Sequence, residues 1–163
     1  MKRSAGIIAY TKVEGVPYFL LGYPGGPYYC NYDDNCKMVK FKEDKNRWSI
    51  LKGGIDKNET KKEAALREFR EESGFCVNDR RKELISLGFI RYKNGKRIYA
   101  YGIEAFFDVS KMKSNMCKMD FKGEQKEFPE IEGYKYMTLE DCRIYCNKSQ
   151  FELIERLNEA IGL

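Results

Sequence analysis

An alternating pattern of apolar and polar positions begins after Met1-Lys2-Arg3-Ser4, so residues 4 to 13 read as a strand, and the apolar stretch 17 to 23 reads as its partner across a Glu14-Gly15 turn. Pro24-Gly25-Gly26-Pro27 ends that pattern. Residues 28 to 46 are polar and irregular, which predicts a long loop or a loop carrying a short strand pair; such loops inside a compact domain are usually functional or mobile. A short apolar stretch, Trp48-Ser49-Ile50, runs into Leu51-Lys52-Gly53-Gly54. The period then lengthens. Thr60-Lys61-Lys62-Glu63 has the form of a capping box, Ala64, Ala65, Leu66 and Phe69 give the next turns an apolar face, and Gly74 stands where a helix ends on glycine. Residues 84 to 92 and 97 to 107 predict two strands, joined by Lys93-Asn94-Gly95-Lys96 with a hairpin-forming Asn-Gly at its centre. Residues 110 to 130 read as a polar connection and 134 to 137 as a last short strand. Thr138 caps a short helix, and residues 149 to 161 form an amphipathic one through Phe151, Leu153, Ile154, Leu157 and Ile161. This order predicts an α/β fold with a mixed sheet lying between helices.

Composition changes the picture in three ways. The 163 residues suit one domain, 1 to 163, and 42% hydrophobic with 14% aromatic residues supports a packed core. No stretch approaches the length of a membrane span, and the N-terminus lacks the form of a signal peptide, so the expected location is the cytoplasm. The net charge of +5 suits an anionic ligand but is too small to argue for nucleic-acid binding.

Histidine is absent, which removes Ser-His-Asp and Cys-His catalysis and the two-histidine metalloprotease motif. The six cysteines have no oxidising context to pair in. A zinc site of Cys30, Cys36, Cys142 and Cys146 is conceivable, but its spacings are not those of zinc knuckles, and free, mostly buried thiols are the expectation.

The candidate chemistry lies in the helix after residue 60. Glu68, Glu71 and Glu72 are spaced i, i+3 and i+4, so they share a face of roughly 100°. They repel one another there, and a hard divalent cation such as Mg²⁺ turns that repulsion into a site. A solvated helix face, with Glu63–Arg67 and Arg67–Glu71 as ordinary ion pairs, explains the same residues taken alone.

The spacing adds more. Gly53 is followed by five residues and Glu59, then by seven residues and Arg67-Glu68-Phe69-Arg70-Glu71-Glu72-Ser73-Gly74-Phe75. This stretch resembles the Nudix box, with Phe69 and Phe75 where aliphatic residues are commoner. Ser4-Ala5-Gly6-Ile7-Ile8-Ala9-Tyr10, Pro24-Gly25-Gly26-Pro27, Arg47-Trp48-Ser49-Ile50 and Glu127-Phe128-Pro129-Glu130 extend the resemblance to a bacterial-type subgroup related to the asymmetric diadenosine tetraphosphate hydrolases. Leu51 departs from it, since that subgroup usually has proline there, and the change is expected to loosen the turn entering the box.

The resemblance implies an α/β/α sandwich of the Nudix type and a pyrophosphohydrolase dependent on Mg²⁺, with Mn²⁺ as a substitute. It implies that the Gly53 carbonyl and Glu68, Glu71 and Glu72 hold the metal. It also implies that Arg67 supports them through Glu59 and that Lys52 contacts phosphate. Glu130 matches the base or extra ligand outside the box, with Glu124 and Glu127 as rivals. The substrates implied are, in order, a dinucleoside polyphosphate such as diadenosine tetraphosphate, a nucleoside triphosphate, and the 5′ end of an RNA. A nucleotide-binding module without catalysis is disfavoured because all three box glutamates are present. Tyr23, Tyr28, Tyr29 and Tyr92 are expected at the rim, where tyrosine stacks on a base while its hydroxyl stays in water. Arg91-Tyr92-Lys93 with Lys96, Arg97 and Tyr99 supplies a basic, aromatic hairpin of the kind that suits RNA, though an ordinary solvated hairpin with a tyrosine face explains it better.

Overall fold

The computed structural model describes residues 2 to 162. Its centre is a six-stranded mixed sheet. Strand β1 (Arg3–Val13) turns at Glu14-Gly15 into β2 (Val16–Pro24). One edge of β1 pairs antiparallel with β2 along Tyr10–Val13 and with β5 (Leu51–Gly54) along Ser4–Ile7, while its other edge pairs parallel with β7 (Arg97–Glu104). β6 (Ile85–Arg91) borders β7, and β10 (Ile131–Thr138) borders β2.

β1 does not alternate where it crosses the sheet: Ala5 to Tyr10 are all buried, because both sheet faces are covered. Ala5, Ile7 and Ala9 face one apolar cluster with Ala64, Ala65, Leu66 and Phe69 of helix α1 (Lys61–Ser73); Ile8 and Tyr10 face another with Leu153, Ile154, Leu157 and Ile161 of α3 (Phe151–Ile161). The architecture is therefore helix, mixed sheet, helix, with the short α2 (Leu139–Tyr145) on the α3 side through buried Cys142. Among the described residues no helix is long and apolar enough to cross a membrane.

Local sequence sets the helix ends. The Thr60 side chain accepts from the Glu63 amide and the Glu63 carboxylate accepts from the Thr60 amide, while Gly74 closes α1 with φ 81°. Such a cap contributes about 1 kcal/mol.

Several boundaries move. The strand expected over 97 to 107 stops at Glu104, and the last strand starts at Ile131 rather than 134. Residues 28 to 46 carry the short pair β3 (Cys30–Tyr32) and β4 (Met38–Phe41). The polar connection expected over 110 to 130 is instead largely a hairpin, β8 (Met116–Phe121) and β9 (Glu124–Pro129), turning at Lys122-Gly123 with φ of 54° and 82°. Leu51 does not loosen a turn. It lies fully buried in β5 opposite Ile7, where the strand pairing fixes it.

Candidate active site

The site forms where β5 runs alongside the last two turns of α1. Gly53 is needed there, because a Cβ at that position would overlap the Glu68 carboxylate. The Lys52 amide donates to Glu72 Oε1 at 3.0 Å, and the Tyr134 hydroxyl donates to the Glu72 backbone carbonyl, so strand and helix are locked at the carboxylates.

Arg67 organises the other side of the cluster. Its Nε and Nη2 donate to the two oxygens of Glu59 at 2.8 and 2.9 Å, Nη1 donates to Glu68 and Glu71 at 2.9 and 3.0 Å, and Nη2 also donates to the Gly54 carbonyl at 2.8 Å. Every guanidinium donor is used, which holds the fork in one orientation. The Arg67 contact keeps the Glu59 carboxyl below its ordinary range.

Glu72 and Glu68 are pushed the opposite way. Burial raises both, and neighbouring charge adds to it, that of Glu68 at Glu72 and those of Glu71 and Glu130 at Glu68. At Glu72 the rise is large, and Glu130 increases it by a hydrogen bond and by its charge, with only the Lys52 charge opposing.

Glu130 sits between β9 and β10 on a pinned backbone. Its amide donates to the Asn115 carbonyl at 2.9 Å, its carbonyl accepts from Gly25 at 2.8 Å, and the Asn115 amide donates to the Glu71 carbonyl at 2.8 Å. A short chain of main-chain bonds therefore ties Glu130 to the end of the glutamate helix. The rivals lie elsewhere: Glu124 is exposed in an ion pair with Lys126, and Glu127 is exposed on β9 opposite Lys118.

A cavity of about 530 Å³ opens over this cluster, lined by Lys52, Gly53, Glu72 and Glu130 at one end and by Tyr28, Tyr29, Tyr92 and Arg47 among others. Tyr28 is 77% exposed, so it is available to a planar ligand. The Tyr92 hydroxyl accepts from Gln150 Nε2 at 3.1 Å. Tyr23 is not at the rim. It is fully buried, stacked on Phe41 at 3.8 Å, with its hydroxyl donating to the Glu43 carbonyl at 2.6 Å. Gln150 and Arg47 are among the lining residues that had no assigned role in the sequence. Gln150, 2% exposed, also accepts from the Ile50 amide and contacts Ser49, and Arg47 pairs with Glu43. Glu59, Arg67, Glu68 and Glu71 do not line this cavity.

The donor types suit a hard divalent cation: carboxylates raised by burial and mutual repulsion beside a main-chain carbonyl. Among the described residues no three carboxylate or thiol side chains converge at ligating distance, and Arg67 holds oxygens of Glu68 and Glu71. The cysteines are dispersed. Cys30, Cys142 and Cys146 are buried and Cys76 is exposed, and burial lifts the Cys30 and Cys146 thiols to about 11 and about 12.

The family model described as NUDIX domain matches residues 30–157, most of the chain. The chain belongs to the Nudix family. The two aromatic positions of its Nudix box are explained by packing, since Phe75 stacks on Phe107 at 4.7 Å and Phe69 meets the same ring at 5.9 Å. An RNA pyrophosphohydrolase of Haemophilus influenzae (strain 86-028NP) is 28% identical over 57% of this chain and 50% of its own length. One of Aliivibrio fischeri (strain MJ11) is 28% identical over 56% of each chain. The Nudix chain thus spans about half the length of these curated relatives. Two solved structures share the fold. A C. elegans Ap4A hydrolase binary complex aligns with TM-score 0.59 and 18% identity over 98% of both chains. The NUDIX domain of Shewanella oneidensis NrtR complexed with ADP ribose aligns with TM-score 0.62 and 14% identity, over 98% of this chain and 87% of that one.

Proposed function

We propose that this Nudix protein is a divalent-metal-dependent pyrophosphohydrolase, with Mg²⁺ as its metal, that cleaves a phosphoanhydride bond in a nucleoside polyphosphate. The observation that carries the reading is buried Glu72 with half-buried Glu68 and Glu130 beside Gly53, where Glu72 and Glu130 line one cavity together with Lys52, Tyr28, Tyr29 and Tyr92. Carboxylates raised by burial and crowding are more useful to a cation than to the metal-free fold.

Glu68, Glu71, Glu72 and the Gly53 carbonyl would hold the cation, which supplies charge neutralisation and activation of water. The chain's own groups do the rest. Arg67 keeps the glutamates oriented through its five hydrogen bonds, and Lys52 offsets charge on the polyphosphate. Glu130 takes the proton of the attacking water as its oxygen bonds to phosphorus, and the bridging P–O bond breaks with its electrons on the departing phosphate. Tyr28, Tyr29, Tyr92 and Arg47 seat one nucleoside.

Diadenosine tetraphosphate is the first-ranked substrate. Its anhydride chain meets the cation and Lys52, and its bases have the tyrosine rim to stack on. With Mg²⁺ and a panel of nucleotides resolved by ion exchange, diadenosine tetraphosphate is expected to yield ATP and AMP with a higher kcat/KM than any nucleoside triphosphate, and excess EDTA to abolish turnover. Turnover that survives EDTA would refute the metal reading. A triphosphate preferred over the dinucleotide would reverse the ranking while leaving the chemistry standing. The 5′ end of an RNA is the second reading, favoured by a basic cleft that adjoins the cavity at Lys52 and Gly53.

A further inference from the structure

A second cavity of about 720 Å³ lies across Gly53 from the tyrosine-lined one, and the two share Lys52 and Gly53 as a common wall. Strand pairing builds it. Arg3 stands beside Arg97 in the parallel β1–β7 ladder, Ser4 stands opposite Gly54, and the Ile55 amide donates to the Arg3 carbonyl at 2.9 Å. The start of β1, the end of β5 and the β6–β7 turn therefore meet at one end of the sheet. That convergence places Lys2, Arg3, Lys52, Lys57 and Lys96 around one cleft.

The charge of the cleft is unbalanced. Its two carboxylates, Asp56 and Glu59, are both engaged by Arg67, at 3.5 and 2.8 Å. Among the described residues none of the five cations is in an ion pair. Just beyond the cleft, Lys61 lies 4.5 Å over the Tyr99 ring and Arg97 lies 4.8 Å over Phe89, which continues the basic surface along β7 with aromatic rings beneath it. A dinucleoside tetraphosphate brings its charges to the cation and Lys52, and Lys2, Arg3, Lys57 and Lys96 are surplus to it.

We infer that this cleft binds the phosphodiester backbone of a single-stranded RNA whose 5′ polyphosphate end lies at the glutamate cluster, an inference that rests on the hydrolase reading above. Continuity with the catalytic cavity singles out this ligand. A chain leaving the site past Gly53 meets the cleft directly, and each cation can neutralise one phosphate of the nucleotides that follow. Backbone contacts of this kind are independent of base sequence and weaken as salt rises.

The test separates the cleft from catalysis. A fluorescently labelled RNA of about eight nucleotides with a 5′ hydroxyl is titrated with the protein in excess EDTA, at several salt concentrations, and followed by anisotropy. The combined variant Lys2→Glu, Lys57→Glu and Lys96→Glu changes three exposed side chains, none at the glutamate cluster. It is expected to bind at least tenfold more weakly and to flatten the salt dependence of log Kd by about 2, at roughly 0.7 per lost contact. The corresponding glutamine variant should shift both readouts the same way by less. With Mg²⁺, the charge-reversed variant should lose at least tenfold in kcat/KM on a 5′-triphosphorylated RNA of that length and stay within twofold on diadenosine tetraphosphate. Unchanged RNA binding in the variants, no binding by the parent protein, or equal losses on both substrates would overturn the inference. Turnover of neither substrate would defeat the hydrolase reading, and the metal-free titration would still decide the cleft.

Discussion

Glu72 carries two opposed demands in one side chain. Burial and the neighbouring carboxylates disfavour its charge in the metal-free fold, while a cation requires that charge. Glu72→Gln keeps the acceptor for the Lys52 amide and removes the charge. It is expected to lower kcat by on the order of 10²-fold or more while raising the unfolding midpoint of the metal-free protein at pH 8. Thermal melts in EDTA beside steady-state rates check both, and a fall in both would remove Glu72 from the metal site. Glu59 behaves in the reverse sense. Its folded pKa is depressed by Arg67, so its contribution is present above the ordinary carboxylate range and disappears as pH falls through the depressed value. Glu59→Gln should therefore cost about 2 kcal/mol at pH 7, with the gap to the parent protein closing towards the lowest pH at which both still fold. Urea titrations across pH measure it, and a gap independent of pH would mean that packing rather than charge is lost. The box residues were legible because their spacing is specific. Gln150 and Arg47 were not, since a glutamine before a helix and an arginine in a loop carry no local mark of facing a cavity. Tyr23 misled because tyrosine in a strand reads alike whether its hydroxyl meets water or, as here, main-chain carbonyls.

At the level of elements, α1 was the most readable piece, with cap, apolar stripe and terminal glycine all in agreement. The β8–β9 hairpin was the least. In β8 the half-buried Cys117, Met119 and Phe121 alternate with exposed Lys118 and Asp120 over only five residues, and Glu124 to Glu127 of β9 are all polar, so the period-two signal is too short to stand out. The pairing of β5 was equally hidden, because Leu-Lys-Gly-Gly has weak strand propensity and is held by its neighbour β1. Gly6 is what permits that pairing, since a Cβ there would collide with the Leu51 carbonyl and the Lys52 side chain. Gly6→Ala is expected to destabilise by about 1–3 kcal/mol and to reduce activity more than stability alone explains, because it moves the strand that carries Lys52 and Gly53. Denaturant midpoints and rates measured under fully folded conditions decide this. Unchanged rates would show that β5 is not what positions the site.

Across the whole molecule, helices on both faces of a mixed sheet followed from element order, whereas the strand order and the meeting of β1, β5 and β7 did not, because pairings between distant segments leave no local trace. The cysteines sample this packing. In the native protein at pH 8, Cys76 should react fastest with a disulfide reagent and Cys36 and Cys117 more slowly, while Cys30, Cys142 and Cys146 should stay silent until urea is added. Six thiols reacting together without denaturant would contradict the burial pattern. The lone tryptophan is better placed still. Trp48 is 6% exposed, donates from Nε1 to Asp44 at 2.9 Å, sits edge-on to Tyr23 and Phe41, and lies between the cavity residues Arg47 and Ser49. The protein thus carries a single tryptophan flanked in the chain by two residues of its own site. Its emission is expected to report a nucleoside arriving at Arg47 and the loss of the fold as two separate optical events, with no label attached.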